Sequence, residues 1–244
     1  MYISSVARKV VHIQVEESVS STATYMPHQY LTEYECVTIE MMKNTSKELQ
    51  RLHMEYNRKI DITECSEVYP PAEDTFLLLD SLEVSKGLKV LEMGCGTGLI
   101  SCHMAFNGAV LTAADINPKA VNCTSNNLKN NNLEGNTVVS DLFQNIYEIF
   151  DLIVFNPPYL SAEEEGCGII EKAWAGGPTG TEILAKFLEQ CREHLLPNGR
   201  ITILLSSEMD LETLDRLLSK FNRKKLKTRR CFFEELWVEE LRLQ

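Results

Sequence analysis

An amide, two prolines and an aromatic ring follow one another at positions 156–159, directly after an apolar run at 150–155 that is typical of a buried strand. The prolines fix the backbone and carry no N–H, so oxygen atoms dominate as hydrogen-bond acceptors there. A planar amide or amino nitrogen can donate both hydrogens to such acceptors, and an aromatic ring can pack beside the flat group. The pattern therefore predicts that Asn156, Pro157, Pro158 and Tyr159, the NPPY loop, bind a planar NH2 group; a strand-ending turn is the alternative interpretation.

A glycine-rich turn follows an earlier strand pattern at 89–93. Glycine lets the backbone turn tightly and approach a ligand closely, and nucleotides bind at the carboxyl end of the first strand of a doubly wound sheet. The spacing differs from the G-x-G-x-x-G of dinucleotide enzymes, and a nearby acid suits a cationic ligand better than a pyrophosphate. S-adenosyl-L-methionine, with its sulfonium and ammonium groups and no phosphate, fits this turn. The candidate cofactor residues here are Glu92, Gly94, Cys95, Gly96 and Gly98.

Acidic residues end the next two strand patterns. Asp115 lies 21 residues after Gly94, a distance at which an acid suits the two hydroxyls of a ribose. Asp141 could accept from an adenine amino group, with Leu142 packing on the ring. The alternative role of each acid is a turn or a helix N-cap. Together the three strand ends predict one cleft that fits an adenosine.

Strand and helix patterns alternate from residue 68 onward, which predicts an α/β fold with a mostly parallel, seven-stranded, doubly wound sheet. Two closing runs are joined too tightly for a helix and predict a C-terminal antiparallel hairpin. The predicted strands lie at 89–93, 109–115, 137–141, 152–155, 200–206, 225–234 and 236–243, and the predicted helices at 73–83, 99–107, 118–131, 181–196 and 210–221.

The first 65 residues differ from the rest, since they contain no glycine and have poor hydrophobic periodicity. A helix at 40–56 is compatible with the pattern. We therefore predict an N-terminal extension of uncertain structure at 1–65 and one catalytic domain at 66–244. The chain has no apolar stretch long enough to span a membrane. We expect no secretory signal at the start of the sequence, with a weak mitochondrial presequence as the alternative.

Charge and cysteine content bound the function further. The net charge of −11 disfavours a protein that grips nucleic acid through phosphate contacts. A basic run at 222–230 is the exception; it predicts a solvated surface, with a face for RNA or an acidic partner as the alternative. The eight cysteines include no C-x-x-C pair, so we expect reduced thiols in a cytoplasmic protein and no metal site.

These motifs resemble those of class I methyltransferases that act on planar nitrogens. Two further stretches, at 68–75 and 173–180, are similar to the eukaryotic and archaeal branch of the HemK-like release-factor glutamine methyltransferases. The resemblance covers about residues 66–244. It departs from the family pattern at Pro70, where relatives usually carry an acid, so side-chain contacts at that position are not transferred.

The resemblance implies a Rossmann-like class I methyltransferase that N5-methylates the glutamine of the Gly-Gly-Gln loop of a translation termination factor. It implies that the NPPY loop holds the glutamine, and that a small zinc-binding activator subunit forms a heterodimer with the chain. Adenine-N6 methylation of RNA or DNA, protein lysine methylation and a non-catalytic scaffold remain alternatives, and a nuclear location remains possible besides the cytoplasm. The cofactor residues that the resemblance implies are Thr75, Glu92, Gly94, Asp115, Asp141 and Leu142.

Overall fold

The computed structural model describes residues 52–161, 176–231 and 234–244. The strands in these ranges are β1 (Leu52–His53), β2 (Glu83–Val84), β3 (Lys89–Met93), β4 (Val110–Asp115), β5 (Asn136–Val139), β6 (Phe150–Phe155), β7 (Leu195–Ser206), β8 (Phe221–Cys231) and β9 (Glu234–Leu243). The helices are α1 (Glu73–Leu79), α2 (Leu99–Phe106), α3 (Pro118–Asn130), α4 (Glu182–Gln190), which a 3₁₀ turn follows, and α5 (Leu211–Leu218).

Seven of these strands form one sheet in the order β5-β4-β3-β6-β7-β9-β8. The first five run parallel, whereas β9 pairs antiparallel with both β7 and β8. The predicted fold class is therefore confirmed. The strand order reverses between β3 and β6, and the carboxyl ends of strands at such a point form a crevice where ligands bind.

Both faces of the sheet are covered, as a parallel sheet requires. Along β6, Leu152 and Val154 pack into one apolar cluster with α1 and α2. Ile153, between them, packs into the opposite cluster with α4 and α5. All three side chains are fully buried, so β6 holds the NPPY loop on a rigid support.

No helix of the described ranges combines the length and the apolar character needed to cross a bilayer.

The segment around α1 differs from its predicted helix at 73–83. The helix ends at Leu79, with Asp80 as its C-cap, and β2 pairs antiparallel with β1. Residues 52–56 are also not helical, so the helix with which the sequence was compatible at 40–56 does not reach residue 56; its other residues lie outside the described ranges. Both corrections have one cause: a pairing of residues about thirty positions apart, which local periodicity does not reveal.

Part of the predicted N-terminal extension packs on the domain. Met54 and Ile60 are buried. The Thr63 backbone N–H donates to Asn127 Oδ1 of α3 at 3.1 Å, and Asn127 Nδ2 donates to the Thr63 carbonyl at 2.9 Å. The packed chain thus begins before residue 66, while the division at residue 65 stays a prediction for the part that is not described.

One pair of cysteines corrects the expectation of reduced thiols. Cys65 and Cys123 form a disulfide across 58 residues of sequence. The bond joins the segment before α1 to α3, and only tertiary packing brings these two positions together. Cys95, Cys102, Cys191 and Cys231 are free thiols, and Cys36 and Cys167 lie outside the described residues.

Candidate active site

The glycine turn connects the ends of β3 and β4. The backbone N–H groups of Gly94 and Cys95 both donate to the Ala114 carbonyl, at 2.8 and 3.0 Å. Gly98 is the N-cap of α2 and has a φ of +80°. A Cβ atom at Gly98 would lie 2.8 Å from the Thr124 side chain of α3, closer than packed atoms approach. The turn therefore needs glycine there both for its conformation and for helix contact.

Asp115 fastens this turn to the end of β4. Its Oδ2 accepts from the Gly96 backbone N–H at 3.0 Å, and its Oδ1 accepts from the Asn117 N–H at 2.8 Å. Burial raises the pKa of Asp115, and these backbone donors partly offset the rise. Asp115 thus has the turn-stabilising role that was the alternative to ribose binding. The two roles are compatible, because each carboxylate oxygen keeps a lone pair for a ribose hydroxyl.

Glu92 is buried at the end of β3, where it accepts a hydrogen bond from the Ser101 hydroxyl of α2. Burial raises the pKa of Glu92 to about 8; the charge of Asp115 adds to the rise, and the Ser101 bond opposes it. A buried carboxyl of this kind ionises readily only when a cation comes near. The sulfonium or ammonium group of the predicted cofactor would supply that cation.

The end of β5 completes the predicted adenosine cleft. The Ser140 N–H donates to the Asp115 carbonyl at 2.9 Å, which brings the next residues beside the ribose acid. Asp141 is exposed, and Leu142 turns the chain with a φ of +47°. Asp141 and Leu142, the residues predicted to contact the adenine, therefore lie at the carboxyl ends of the strands, beside Asp115.

The NPPY loop touches the glycine turn. A Cβ atom at Gly94 would lie 3.6 Å from the Phe155 ring and 3.8 Å from the Asn156 carbonyl oxygen. The side chain of Asn156 donates from Nδ2 to Asp74 Oδ2 at 2.9 Å. Its other end, Oδ1, is buried and accepts no hydrogen bond from the described residues. Buried polar atoms normally have hydrogen-bond partners, so this oxygen is suited to accept a hydrogen bond from a ligand N–H.

Thr75 and Asp74 support the loop from the start of α1. Thr75 Oγ1 accepts from the Ala72 N–H at 3.3 Å and donates to Asp74 Oδ1 at 3.2 Å. Thr75 was predicted as a cofactor contact; in the structure it closes the first turn of the helix and holds Asp74. Sequence reasoning missed Asp74, although it stands in the 68–75 stretch that carried the resemblance.

A cavity of about 450 Å³ opens beside Tyr159. It adjoins the NPPY loop rather than the glycine turn, so it marks the acceptor side of the site. Burial raises the pKa of Tyr69 and of Tyr159, and the nearby carboxylates of Asp74 and Glu234 raise both further. The phenols therefore stay protonated at neutral pH. The acidic residues that line the cavity are Glu73, Asp74, Glu208 and Glu234.

The glycine-rich stretch predicted beside the NPPY loop is described from residue 176. The Gly176 N–H donates to the Leu160 carbonyl at 2.9 Å, and the following turn leads into α4. This hydrogen bond holds the residue that follows the NPPY loop. Trp174, which was predicted to shape a flap here, lies outside the described residues.

The basic run lies on the edge strand β8, and acidic partners neutralise much of it. Arg223 forms a bidentate pair with Glu239, at 2.8 and 3.0 Å, and Lys227 pairs with Asp80 at 3.1 Å. Lys225 lies over the Trp237 ring. This pairing favours the interpretation of the basic run as a structural surface over its interpretation as a nucleic-acid face.

In the described ranges no group of three or more His, Cys, Asp or Glu side chains could hold a metal ion.

Comparisons with known proteins identify the family of the chain. The sequence model of the family called methyltransferase small domain matches residues 72–233. A Methanocaldococcus jannaschii protein, provisionally named protein N5-glutamine methyltransferase, is 42% identical over 177 residues, covering 70% of this chain and 90% of that one. Human methyltransferase HEMK2 is 36% identical, covering 63% of this chain and 78% of its own. The Schizosaccharomyces pombe eRF1 methyltransferase catalytic subunit mtq2 is 28% identical, covering 66% and 82%.

Two solved structures share the fold. The E. cuniculi Mtq2–Trm112 complex has a TM-score of 0.58 at 22% identity, covering 73% of this chain and 99% of that chain. The T. thermophilus 16S rRNA N2 G1207 methyltransferase RsmC, solved with AdoMet and guanosine, has a TM-score of 0.55 at 20% identity, covering 72% and 44%. With the family match, the 42% identical relative and the reversed strand order at the glycine turn, the chain belongs to the methyltransferase small domain family, as a HemK-like class I methyltransferase.

Proposed function

We propose that this protein transfers a methyl group from S-adenosyl-L-methionine to the side-chain amide nitrogen of a glutamine in the Gly-Gly-Gln loop of a translation termination factor. One observation carries the proposal: the buried Oδ1 of Asn156 lies beside the glycine turn and has no hydrogen-bond partner among the described residues. The names of the relatives support the substrate, since they include an N5-glutamine methyltransferase and an eRF1 methyltransferase subunit.

The residues at the strand ends fit the cofactor. Asp115 would bind the ribose, Asp141 and Leu142 the adenine, and Glu92 would favour a cation nearby. When bound, the cofactor supplies an activated methyl group on a sulfonium. The glycine turn carries no lysine or arginine to bind a phosphate, which agrees with a ligand that has none.

The NPPY loop binds the glutamine amide that accepts the methyl group. A glutamine amide nitrogen is a weak nucleophile, because its lone pair is delocalised, and positive charge develops on it as the methyl group arrives. Its N–H groups then become stronger donors, so the Asn156 oxygen and the Pro157 carbonyl bind the transition state better than the ground state. Tyr159 packs beside the amide and, with its raised pKa, does not act as a base. Alignment of nitrogen, methyl group and sulfur provides the rest. As the new N–C bond forms, the nitrogen loses one of its two protons to water, so the product is a neutral N-methyl amide.

The charge of the acceptor side distinguishes the alternatives. A nucleic acid brings phosphates, which the carboxylates of the cavity would repel, and Arg223 and Lys227 of the basic run are engaged in ion pairs. A protein lysine is the second candidate, because the same carboxylates favour a cationic side chain. A non-catalytic scaffold would leave the buried Asn156 oxygen unsatisfied, at a cost of about 1–3 kcal/mol.

The proposal includes a small zinc-binding activator subunit in a heterodimer, and a cytoplasmic location where termination factors act, with the nucleus as a second one. The partner of the E. cuniculi Mtq2 structure, Trm112, supports a small subunit. Edge strand β5 offers a surface for it: Val139 is 43% exposed, and Ile116 on the adjoining turn is 59% exposed. An unpaired edge with apolar side chains favours association with another chain.

The test is transfer of a labelled methyl group, with and without the activator subunit, to three acceptors: a termination factor, a lysine-containing histone and total RNA. We expect label on the termination factor, lost when its Gly-Gly-Gln glutamine is changed to arginine. Label on RNA or on histone lysine, with none on the glutamine, would refute the proposed substrate.

The role of the NPPY loop is tested by Asn156→Ala. Loss of one preorganised hydrogen-bonding group should lower turnover by about a hundredfold or more, while cofactor affinity changes less. Asn222→Ala removes the same side chain at an exposed position of β8 and is the matched control. Near-normal turnover of Asn156→Ala would exclude its role.

A further inference from the structure

Asp74 holds the amide of Asn156 from the start of α1. Its Oδ2 accepts from Asn156 Nδ2 at 2.9 Å, and its Oδ1 accepts from the Thr75 backbone N–H at 2.7 Å and from the Thr75 hydroxyl. Only 5% of Asp74 is exposed. A buried carboxylate with both oxygens bonded is held in one position, so it can orient a neighbouring group.

Orientation matters because the two ends of an asparagine amide have nearly the same shape and opposite hydrogen-bonding character. An ionised carboxylate carries no hydrogen, so Asp74 can pair only with the NH2 end of Asn156. This pairing leaves the oxygen end buried, with no hydrogen-bond partner in the part of the chain that the structure describes. The reversed amide would set two oxygens against each other at Asp74 and would present a donor to the acceptor NH2 group.

The charge of Asp74 also strengthens the acceptor. Hydrogen bonds in a chain polarise one another, and the bond to the carboxylate increases the electron density on the Asn156 oxygen. A stronger acceptor at that oxygen stabilises the positive charge that develops on the methylated nitrogen. The position of Asp74 and its charge therefore both favour methyl transfer: the first orients the Asn156 oxygen and the second makes it a stronger acceptor.

We infer that Asp74 is a positioning residue of the methyl transfer: it selects the one orientation of the Asn156 amide in which the oxygen receives the acceptor NH2 group. The inference rests on the proposed function, since it takes Asn156 as the acceptor-binding residue. Asp74 lies 82 residues before Asn156, so no local motif joins them.

A double-mutant cycle tests the inference, with methyl transfer measured at saturating cofactor. Asp74→Asn offers Asn156 both a donor and an acceptor, so the amide orientation is no longer selected. We expect its kcat to fall about ten- to hundredfold, the range for one hydrogen bond to a charged group, with cofactor affinity by calorimetry changed by less than about threefold. In the Asn156→Ala background the same change should have little further effect, because interacting residues are not additive. Equal losses in both backgrounds would overturn the inference.

Exchanging the two residues distinguishes loss of this hydrogen bond from misfolding of the variants. Combining Asp74→Asn with Asn156→Asp restores one donor–acceptor pair and leaves one carboxylate oxygen for the acceptor. Its kcat should exceed that of Asn156→Asp alone, in which two carboxylates face each other, by about tenfold. An exchange variant that is folded, by its melting temperature, and no more active than Asn156→Asp would count against Asp74.

Failure of the proposed function can be told apart from failure of this inference. If the wild type labels a different acceptor, the glutamine proposal is wrong, and the cycle with that acceptor still tests Asp74. A further readout needs no turnover: the ¹⁵N side-chain resonance of Asn156, identified by its loss in Asn156→Ala. It should shift in Asp74→Asn, and an unchanged resonance would contradict the contact.

Discussion

Replacing Glu92 with glutamine should stabilise the cofactor-free protein and weaken cofactor binding. The pKa of Glu92 is raised from an ordinary 4.5 to about 8 by burial. Between these values the unfolded chain loses its proton while the folded protein keeps it, so the free energy of unfolding falls as pH rises. At about 1.4 kcal/mol per pH unit, the cost is on the order of 3 kcal/mol at pH 7 and reaches its full size, on the order of 5 kcal/mol, above pH 8. Glu92→Gln does not ionise and removes this dependence.

The assay is chemical denaturation of both proteins at several values between about pH 5 and pH 8.5. The difference between the pH slopes is the readout, because the new NH2 group at position 92 has a cost that does not depend on pH. Glu134→Gln changes the same side chain at an exposed position before β5 and should keep the wild-type slope. Calorimetry should show cofactor affinity reduced about tenfold in Glu92→Gln, as for one hydrogen bond or ion pair to a charged group. Identical pH slopes for Glu92→Gln and wild type would refute the reasoning.

Three other predictions concern the cofactor acid, the disulfide and a buried histidine. Asp115→Ala should weaken cofactor binding about tenfold or more, and unchanged affinity by calorimetry would exclude the ribose contact. Cys65→Ser should cost up to about 4 kcal/mol, the entropy of a loop of this length; reductant should lower the wild-type melting temperature to that of the variant, and an insensitive wild type would mean that Cys65 and Cys123 are not bonded. His103 accepts from the Asn57 N–H at 2.9 Å, and burial lowers the pKa of His103. The unfolded chain therefore protonates first, and the contribution of His103 to stability should fall as pH drops below about 6.5, opposite in sign to that of Glu92. Thermal melting should therefore show the difference between His103→Gln and wild type shifting in favour of the variant as pH drops, and a difference that does not change with pH would contradict this.

Local sequence was sufficient for the architecture and for the two halves of the site. Strand and helix periods carry the fold class, because side-chain spacing follows directly from backbone geometry. The glycine turn, Asp115 and the NPPY loop were predictable, because each follows its strand directly and parallel strands bring their carboxyl ends together. The basic run was ambiguous until β9 placed carboxylates opposite it, as with Arg223 and Glu239.

Tertiary structure alone decided the contacts between distant segments. The pairing of β1 with β2 shortened the predicted helix, and packing on α3 joined Cys65 to Cys123 against the expectation of free thiols. The same holds for the site: the chain by itself determined that Asn156 stands at the end of a buried strand. The fold brought Asp74 to its NH2 end and left its oxygen without a partner among the described residues. The reason is physical, since burial and hydrogen-bond pairing depend on what the whole chain places around a group, and no local pattern encodes that environment.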